Sequence, residues 1–177
     1  MTGNNFLVWR GTDPYNMNDL IADGAIITNT QPVNPRFIEA ETKLKKVQNY
    51  LGKEEKLFLT GHSLGSGVTN YLSRKHDGIE ATYSYAPGSN PWYDLKDTLY
   101  NKESKTPIYN FTTYEDPISI GSVLPRKNES TYYVPRKEGM DVHTIDNYIE
   151  KDITIPSESL RNFLTVKPPP GFEYRYE

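Results

Sequence analysis

One short segment of the chain restricts its possible folds more than any other. Residues 57–60, Leu-Phe-Leu-Thr, have the composition of a buried strand, and they run directly into a Gly-x-Ser-x-Gly turn centred on Ser63. Apolar residues then recur at helical spacing from Val68 to Leu72, so a helix should follow at once. A strand that turns sharply into a helix is the first half of the unit from which parallel sheets are built.

The rest of the chain repeats this alternation. Strand-like segments lie at residues 6–9, 79–85, 107–113 and 131–134, and helical segments lie at residues 37–51, 91–101 and 145–149. The segment at 6–9 is expected to be a buried strand, and the one at 131–134 fits either a hairpin or an edge strand. The pattern predicts an α/β fold, with a mostly parallel sheet and helices on both faces. We expect one domain over residues 1–165, followed by an extended proline-rich tail over 166–177.

Composition excludes several classes of function. The 177 residues include no cysteine, which rules out disulfides, thiolate zinc sites and cysteine nucleophiles. The net charge is −3 and no basic stripe is present, so nucleic acid is not expected as a partner. The basic clusters at 43–46 and 74–76 should be solvated helix faces. Neither a signal-peptide pattern nor a membrane-length apolar run is found, which predicts a soluble protein, cytoplasmic by default.

Ser63 has the setting of a catalytic nucleophile. In a turn of this kind the serine is held in a strained conformation, and glycines two residues to either side remove the clashes that larger residues would cause. The helix that follows directs its N-terminal amides and its positive dipole end toward the reacting oxygen. A serine hydroxyl is a poor nucleophile without a base, so a histidine is needed nearby.

The chain offers three histidines for this role. His62 adjoins Ser63, but on so tight a turn its side chain should point elsewhere. His76 lies at a predicted helix end, where a capping role is expected. His143 lies far downstream, after the last main strand, which fits the order nucleophile, acid, histidine. The sequence therefore predicts His143 as the general base.

The acid that orients this histidine should follow a strand between the two residues. Asp116 follows the predicted strand at 107–113, and Pro117 ends the pairing of that strand. The Asp116 carboxylate would fix the imidazole tautomer and stabilise the imidazolium. Glu115 is a neighbouring alternative, and Asp141 is a weaker one.

Several motifs together resemble those of a known family. The turn Gly61-His62-Ser63-Leu64-Gly65 and the strand end Trp9-Arg10-Gly11-Thr12 are similar to motifs of the class 3 lipases, the fungal triacylglycerol lipase-like group. Further similarities lie at Asp19-Leu20-Ile21-Ala22-Asp23, at Asn34-Pro35-Arg36-Phe37, and at Tyr85-Ala86-Pro87-Gly88 with Asn90. The resemblance extends over about residues 5 to 150.

The resemblance implies an α/β-hydrolase fold and an activity. The chain would hydrolyse lipid esters through an acyl-enzyme, with Ser63, Asp116 and His143 as the catalytic triad and with no metal or organic cofactor. The backbone amides of Thr12 and Leu64 would form the oxyanion hole, and the Thr12 hydroxyl would assist.

The same resemblance implies structural features around the site. Arg10 and Asp23 would form a buried ion pair, and residues 13–24 would be a lid that moves at a lipid–water interface. Leu20 stands in place of the family's lid tryptophan, and Ser66 in place of a usual glycine or alanine. The family's N-terminal helix and first strands have no counterpart, so the sheet should be shortened there and expose an edge.

Other functions are compatible with the same residues. A phospholipase A1 or a small-ester esterase would use the same triad on a different substrate. An acyltransferase would replace water by an alcohol in the second step. A non-catalytic binding protein could also use the hydrolase scaffold.

Overall fold

A computed structural model describes residues 3–11, 34–88, 103–113, 116–119 and 126–148. These residues form a five-stranded, all-parallel sheet in the sequential order β1-β2-β3-β4-β5. The strands are β1 (Asn4–Trp9), β2 (Lys56–His62), β3 (Ala81–Tyr85), β4 (Glu103–Thr112) and β5 (Lys127–Tyr133). The helices are α1 (Pro35–Tyr50), α2 (Leu64–Lys75) and a 3-10 helix (Ile145–Tyr148). The predicted α/β class and parallel sheet are confirmed, whereas the predicted helix at 91–101 and tail at 166–177 lie outside the described residues.

Local sequence explains where α1 begins and which side it buries. The Asn34 side chain accepts a hydrogen bond from the Arg36 amide at 2.9 Å. Pro35 occupies the first turn, where its missing N–H costs no helical hydrogen bond. Phe37 and Leu44 then fall on one face and are buried, which anchors the helix to the sheet.

Both α-helices pack on the same face of the sheet. Leu57 and Leu59 of β2 alternate toward this face and share one apolar core with Leu44 of α1 and Val68 of α2. Because the strands are arranged sequentially, right-handed crossovers place the connecting helices on one side. The prediction of helices on both faces is therefore not met by the α-helices of the described residues.

The second face of the sheet is lined with aromatic rings. Four stacked pairs have ring centroids 5.1 to 5.4 Å apart: Phe6–Phe58, Tyr83–Tyr109, Tyr85–Phe111 and Phe111–Tyr132. Tyr148 of the 3-10 helix joins this layer, 5.6 Å from Tyr85. Phe6 and Val8 remain 58% and 65% exposed, since β1 lies at the edge of the described sheet. The expectation that residues 6–9 form a buried strand is therefore wrong for this face.

Of three further expectations, one is corrected and two agree with the structure. The segment at 131–134 contributes to β5, which pairs in parallel with β4 and lies at the edge of the described sheet, in agreement with the edge-strand alternative. The cluster at 74–76 is not simply a solvated face, because Arg74 pairs with Glu129 and His76 contacts Glu41. In keeping with the lack of a long apolar run, no helix among the described segments could cross a membrane.

Buried hydrogen bonds fix α2 against β3 and β4. Asn70 donates to the Asn110 side chain at 2.9 Å and accepts from the Ser84 hydroxyl at 2.6 Å. The Thr69 hydroxyl lies 3.2 Å from the same Ser84 hydroxyl. All four side chains are at most 4% exposed, so water does not compete for these bonds. The network sets the position of the helix that follows Ser63.

An ion pair joins the C-terminal end of α2 to β5. The Arg74 guanidinium binds both carboxylate oxygens of Glu129, at 2.7 and 2.8 Å, and Arg126 lies 3.7 Å from the same carboxylate. Burial alone would raise the pKa of Glu129, but the charges of the two arginines outweigh burial and hold the pKa below its ordinary value. The pair therefore remains ionised at neutral pH.

Glu129→Gln should destabilise the protein by about 3 kcal/mol at pH 7, because the arginines would keep their charge and lose its partner. A carboxyl group whose pKa is lowered by folding stabilises the folded protein at pH values above its unfolded pKa. This stabilisation is lost as the pH falls through the lower pKa of the folded state. The difference between wild type and variant should therefore shrink below about pH 4. Urea unfolding at several pH values measures it, with Glu80→Gln, in the exposed pair with Lys56, as a control that should change little. A difference that does not vary with pH would contradict the role of this pair.

Candidate active site

Ser63 occupies a strained turn between β2 and α2. Its backbone angles are φ 55° and ψ −126°, a left-handed conformation that residues other than glycine rarely adopt. A Cβ on Gly61 would lie 2.5 Å from the Gly65 carbonyl carbon, and one on Gly65 would overlap the Trp9 backbone. The two flanking glycines are therefore required by close backbone contact, as the sequence predicts.

Hydrogen bonds from the neighbouring strand hold this turn. The Ser63 amide donates to the Tyr85 carbonyl at 3.0 Å, and the Gly88 amide donates to the Ser63 carbonyl at 3.2 Å. The buried Ser66 hydroxyl accepts from the Tyr85 amide at 2.9 Å and lies beside the Gly61 carbonyl. Ser66 thus links the turn to β3 through hydrogen bonds that glycine or alanine could not form.

The structure brings together Ser63, His143 and Asp116. The Ser63 hydroxyl lies 2.7 Å from Nε2 of His143, and Nδ1 of the same ring lies 2.8 Å from an oxygen of Asp116. The three residues follow β2, β5 and β4, respectively. Since all strands are parallel, their carboxyl ends meet at one edge of the sheet, where α/β proteins bind ligands.

The Asp116 carboxylate is fully buried and satisfied by several donors. One oxygen accepts from the Ser119 hydroxyl at 2.7 Å as well as facing His143, and the other accepts from the Ile118 amide at 3.0 Å. Burial would raise the pKa of Asp116, but the hydrogen bonds from His143 and Ser119 outweigh it and lower the pKa. Asp116 is thus a carboxylate at neutral pH, as required of a group that stabilises an imidazolium.

Of the three carboxylates considered for the acid, the structure describes Asp116 and Asp141. Asp141 accepts from the His143 backbone amide at 2.9 Å, so it shapes the loop, whereas Asp116 contacts the ring. Glu115 lies outside the described residues. His76 is at the C-terminal end of α2, as predicted, and bonds Glu41 at 3.1 Å.

The loop that carries His143 depends on residues that the sequence analysis did not identify. The Thr113 hydroxyl donates to the Val142 carbonyl at 2.8 Å, and the Asn147 side chain donates to the Asp141 carbonyl at 2.7 Å. Ser119, whose hydroxyl donates to Asp116, was also missed. Its spacing in Asp116-Pro-Ile-Ser119 is a local turn signal that could have identified it.

Of the two residues predicted to form the oxyanion hole, the structure describes Leu64 only. Leu64 is the first residue of α2, where backbone amides have no acceptor within the helix. Thr12 lies outside the described residues, as do Asp23 of the predicted ion pair and the lid at 13–24. A Cβ on Gly11 would lie 3.3 Å from the Ser63 Cβ, so the chain passes beside Ser63 one residue before Thr12.

Comparisons of the chain with models of known families, with curated proteins and with solved structures found no match. A hydroxyl bonded to a histidine that is in turn bonded to a buried carboxylate can lose its proton as it attacks an electrophile. The positive end of α2 lies beside that oxygen and favours developing negative charge.

Proposed function

We propose that the chain is a serine carboxylic ester hydrolase with an α/β-hydrolase type of fold. The observation that carries the proposal is the continuous chain of contacts from Ser63 through His143 to Asp116, at 2.7 and 2.8 Å. The strained backbone of Ser63 adds support, because strain of this kind is concentrated at functional sites.

In the first step, His143 takes the proton of Ser63 as the serine oxygen forms a bond to the ester carbonyl carbon. The carbonyl oxygen becomes an oxyanion, which would be stabilised by the amides of Leu64 and Thr12. The bond to the alcohol then breaks, and His143 returns the proton to the departing alcohol. Asp116 stabilises the imidazolium between these two transfers.

In the second step, His143 takes a proton from water, and the resulting hydroxide attacks the acyl carbon. The bond to Ser63 breaks, its oxygen regains the proton from His143, and the carboxylic acid leaves. In these two steps, His143 carries out every proton transfer and Ser63 forms the covalent bond to the acyl group. Lipid esters are the substrate class that the sequence resemblance favours, with phospholipids and small esters as alternatives.

A fluorophosphonate probe tests the proposal directly. The wild-type protein should be labelled covalently, with the modified peptide containing Ser63, because a serine hydroxyl activated by an adjacent base attacks the phosphorus of such a probe. Ser63→Ala, checked for folding by circular dichroism, should not be labelled. A folded wild-type protein that resists the probe, or is labelled elsewhere, would overturn the proposal and favour a non-catalytic binding protein.

The substrate class requires a separate measurement. Nitrophenyl esters of increasing acyl length, alongside a phospholipid, would separate lipase, esterase and phospholipase activity. Added glycerol would reveal an acyltransferase through formation of a glycerol ester in place of the free acid. Fastest turnover on the shortest esters would overturn the lipid-ester assignment and leave the hydrolase assignment intact.

A further inference from the structure

His62 precedes the proposed nucleophile, yet its ring is directed at the loop of the proposed base. Its Nε2 lies 2.8 Å from the backbone carbonyl oxygen of His143, a residue 81 positions away in the chain. The centroids of the two imidazole rings are 5.3 Å apart and the rings are tilted by 43°. This contact joins the turn that carries Ser63 to the loop that carries His143.

The partner atom fixes the tautomer of the ring. A carbonyl oxygen can only accept, so Nε2 of His62 must carry the proton that is donated. Burial lowers the pKa of His62, which keeps the ring neutral at pH 7 despite the opposing effect of the bond to the carbonyl. A neutral His62 places no second positive charge beside the imidazolium that forms on His143 during catalysis.

In the loop that carries His143, three consecutive backbone carbonyls each accept a hydrogen bond from a side chain outside residues 141–143. Asn147 binds the carbonyl of residue 141, Thr113 binds that of residue 142, and His62 binds that of residue 143. The first two anchors come from the 3-10 helix and from the end of β4. Of these three residues, only His62 lies in the turn that carries Ser63. Its hydrogen bond therefore fixes the position of the His143 backbone relative to that turn.

We propose that His62 is a positioning residue, which holds the His143 backbone so that Nε2 of His143 stays within hydrogen-bond distance of the Ser63 hydroxyl. The inference rests on the proposed hydrolase function and adds a residue to it. His62 does not touch the reacting atoms. Its effect on turnover comes through the placement of His143, where a displacement of about 1 Å can cost about 100-fold in rate.

Two substitutions of His62 separate hydrogen bonding from packing. His62→Phe keeps a planar ring and removes the donor, so kcat for a nitrophenyl ester should fall by about 10- to 100-fold while KM changes little. His62→Gln places an amide N–H near the position of Nε2 and should recover most of the lost kcat. His76→Phe makes the same chemical change at a histidine remote from the site and should leave kcat at the wild-type value. Thermal unfolding of each variant verifies that it is folded.

The outcomes are distinct. A folded His62→Phe variant with wild-type kcat, or a His62→Gln variant as slow as His62→Phe, overturns the positioning role while wild-type labelling by the fluorophosphonate probe still supports the hydrolase. A wild-type protein that neither reacts with the probe nor turns over esters overturns both proposals. Loss of kcat in His62→Phe with recovery in His62→Gln supports the role of the hydrogen bond.

Discussion

Ser63→Ala should lower ester turnover by about 10⁶-fold, with the protein still folded. The substitution removes the oxygen that lies 2.7 Å from His143 and that would form the acyl-enzyme. Alanine should tolerate the turn about as well as serine does, because both carry a Cβ at the same positive φ. Initial rates on a nitrophenyl ester, with circular dichroism as a check on folding, measure the effect.

A second serine provides the control for this substitution. Ser130 lies on β5 opposite Tyr109, away from the triad, and Ser130→Ala should retain wild-type turnover. Residual turnover by Ser63→Ala should come only from binding and the oxyanion hole, which typically leave about 10³- to 10⁴-fold over water. Near-normal turnover in a folded Ser63→Ala protein would remove Ser63 from its assigned role.

Asp116→Asn should lower turnover by about 10⁴-fold. The asparagine amide can turn an N–H toward Nδ1 of His143, which favours the tautomer with its proton on Nε2. That nitrogen could then no longer accept the proton of Ser63, 2.7 Å away. The asparagine oxygen can still accept from the Ile118 amide, and the Ser119 hydroxyl can rotate to accept from the amide N–H, so the fold should survive.

Glu115→Gln is the matched comparison, because it makes the same change from carboxylate to amide one residue earlier. It should leave turnover within a few-fold of wild type. If Glu115→Gln is strongly impaired and Asp116→Asn is not, the acid has been assigned to the wrong residue. Steady-state kinetics of the two variants under identical conditions decide between them.

Much of the fold could be predicted because its determinants are local. The apolar run at 57–60, the two glycines around Ser63 and the helical spacing after it predict β2, the turn and α2 within a few residues. The start of α1 differs from its predicted position by two residues, because the apolar spacing begins at Phe37, whereas the helix begins at Pro35, next to its Asn34 cap. Signals of this kind depend on neighbouring residues and need no knowledge of the tertiary structure.

The site was predictable in part for a similar reason. With three histidines in the chain, chemistry and order along the chain were enough to select His143. The acid remained open among Asp116, Glu115 and Asp141, since each is a carboxylate in a predicted loop. The distance of 2.8 Å between Asp116 and the ring supports one of them, and a sequence contains no such distance.

The sequence by itself determined the residue types, the order of the elements and the sharp turn at Ser63. The tertiary structure alone decided that both α-helices lie on one face and that β5 pairs in parallel with β4. It also decided that His62 reaches the carbonyl of His143. These features depend on strand order and on contacts between residues far apart in the chain, which periodicity and turn chemistry do not encode.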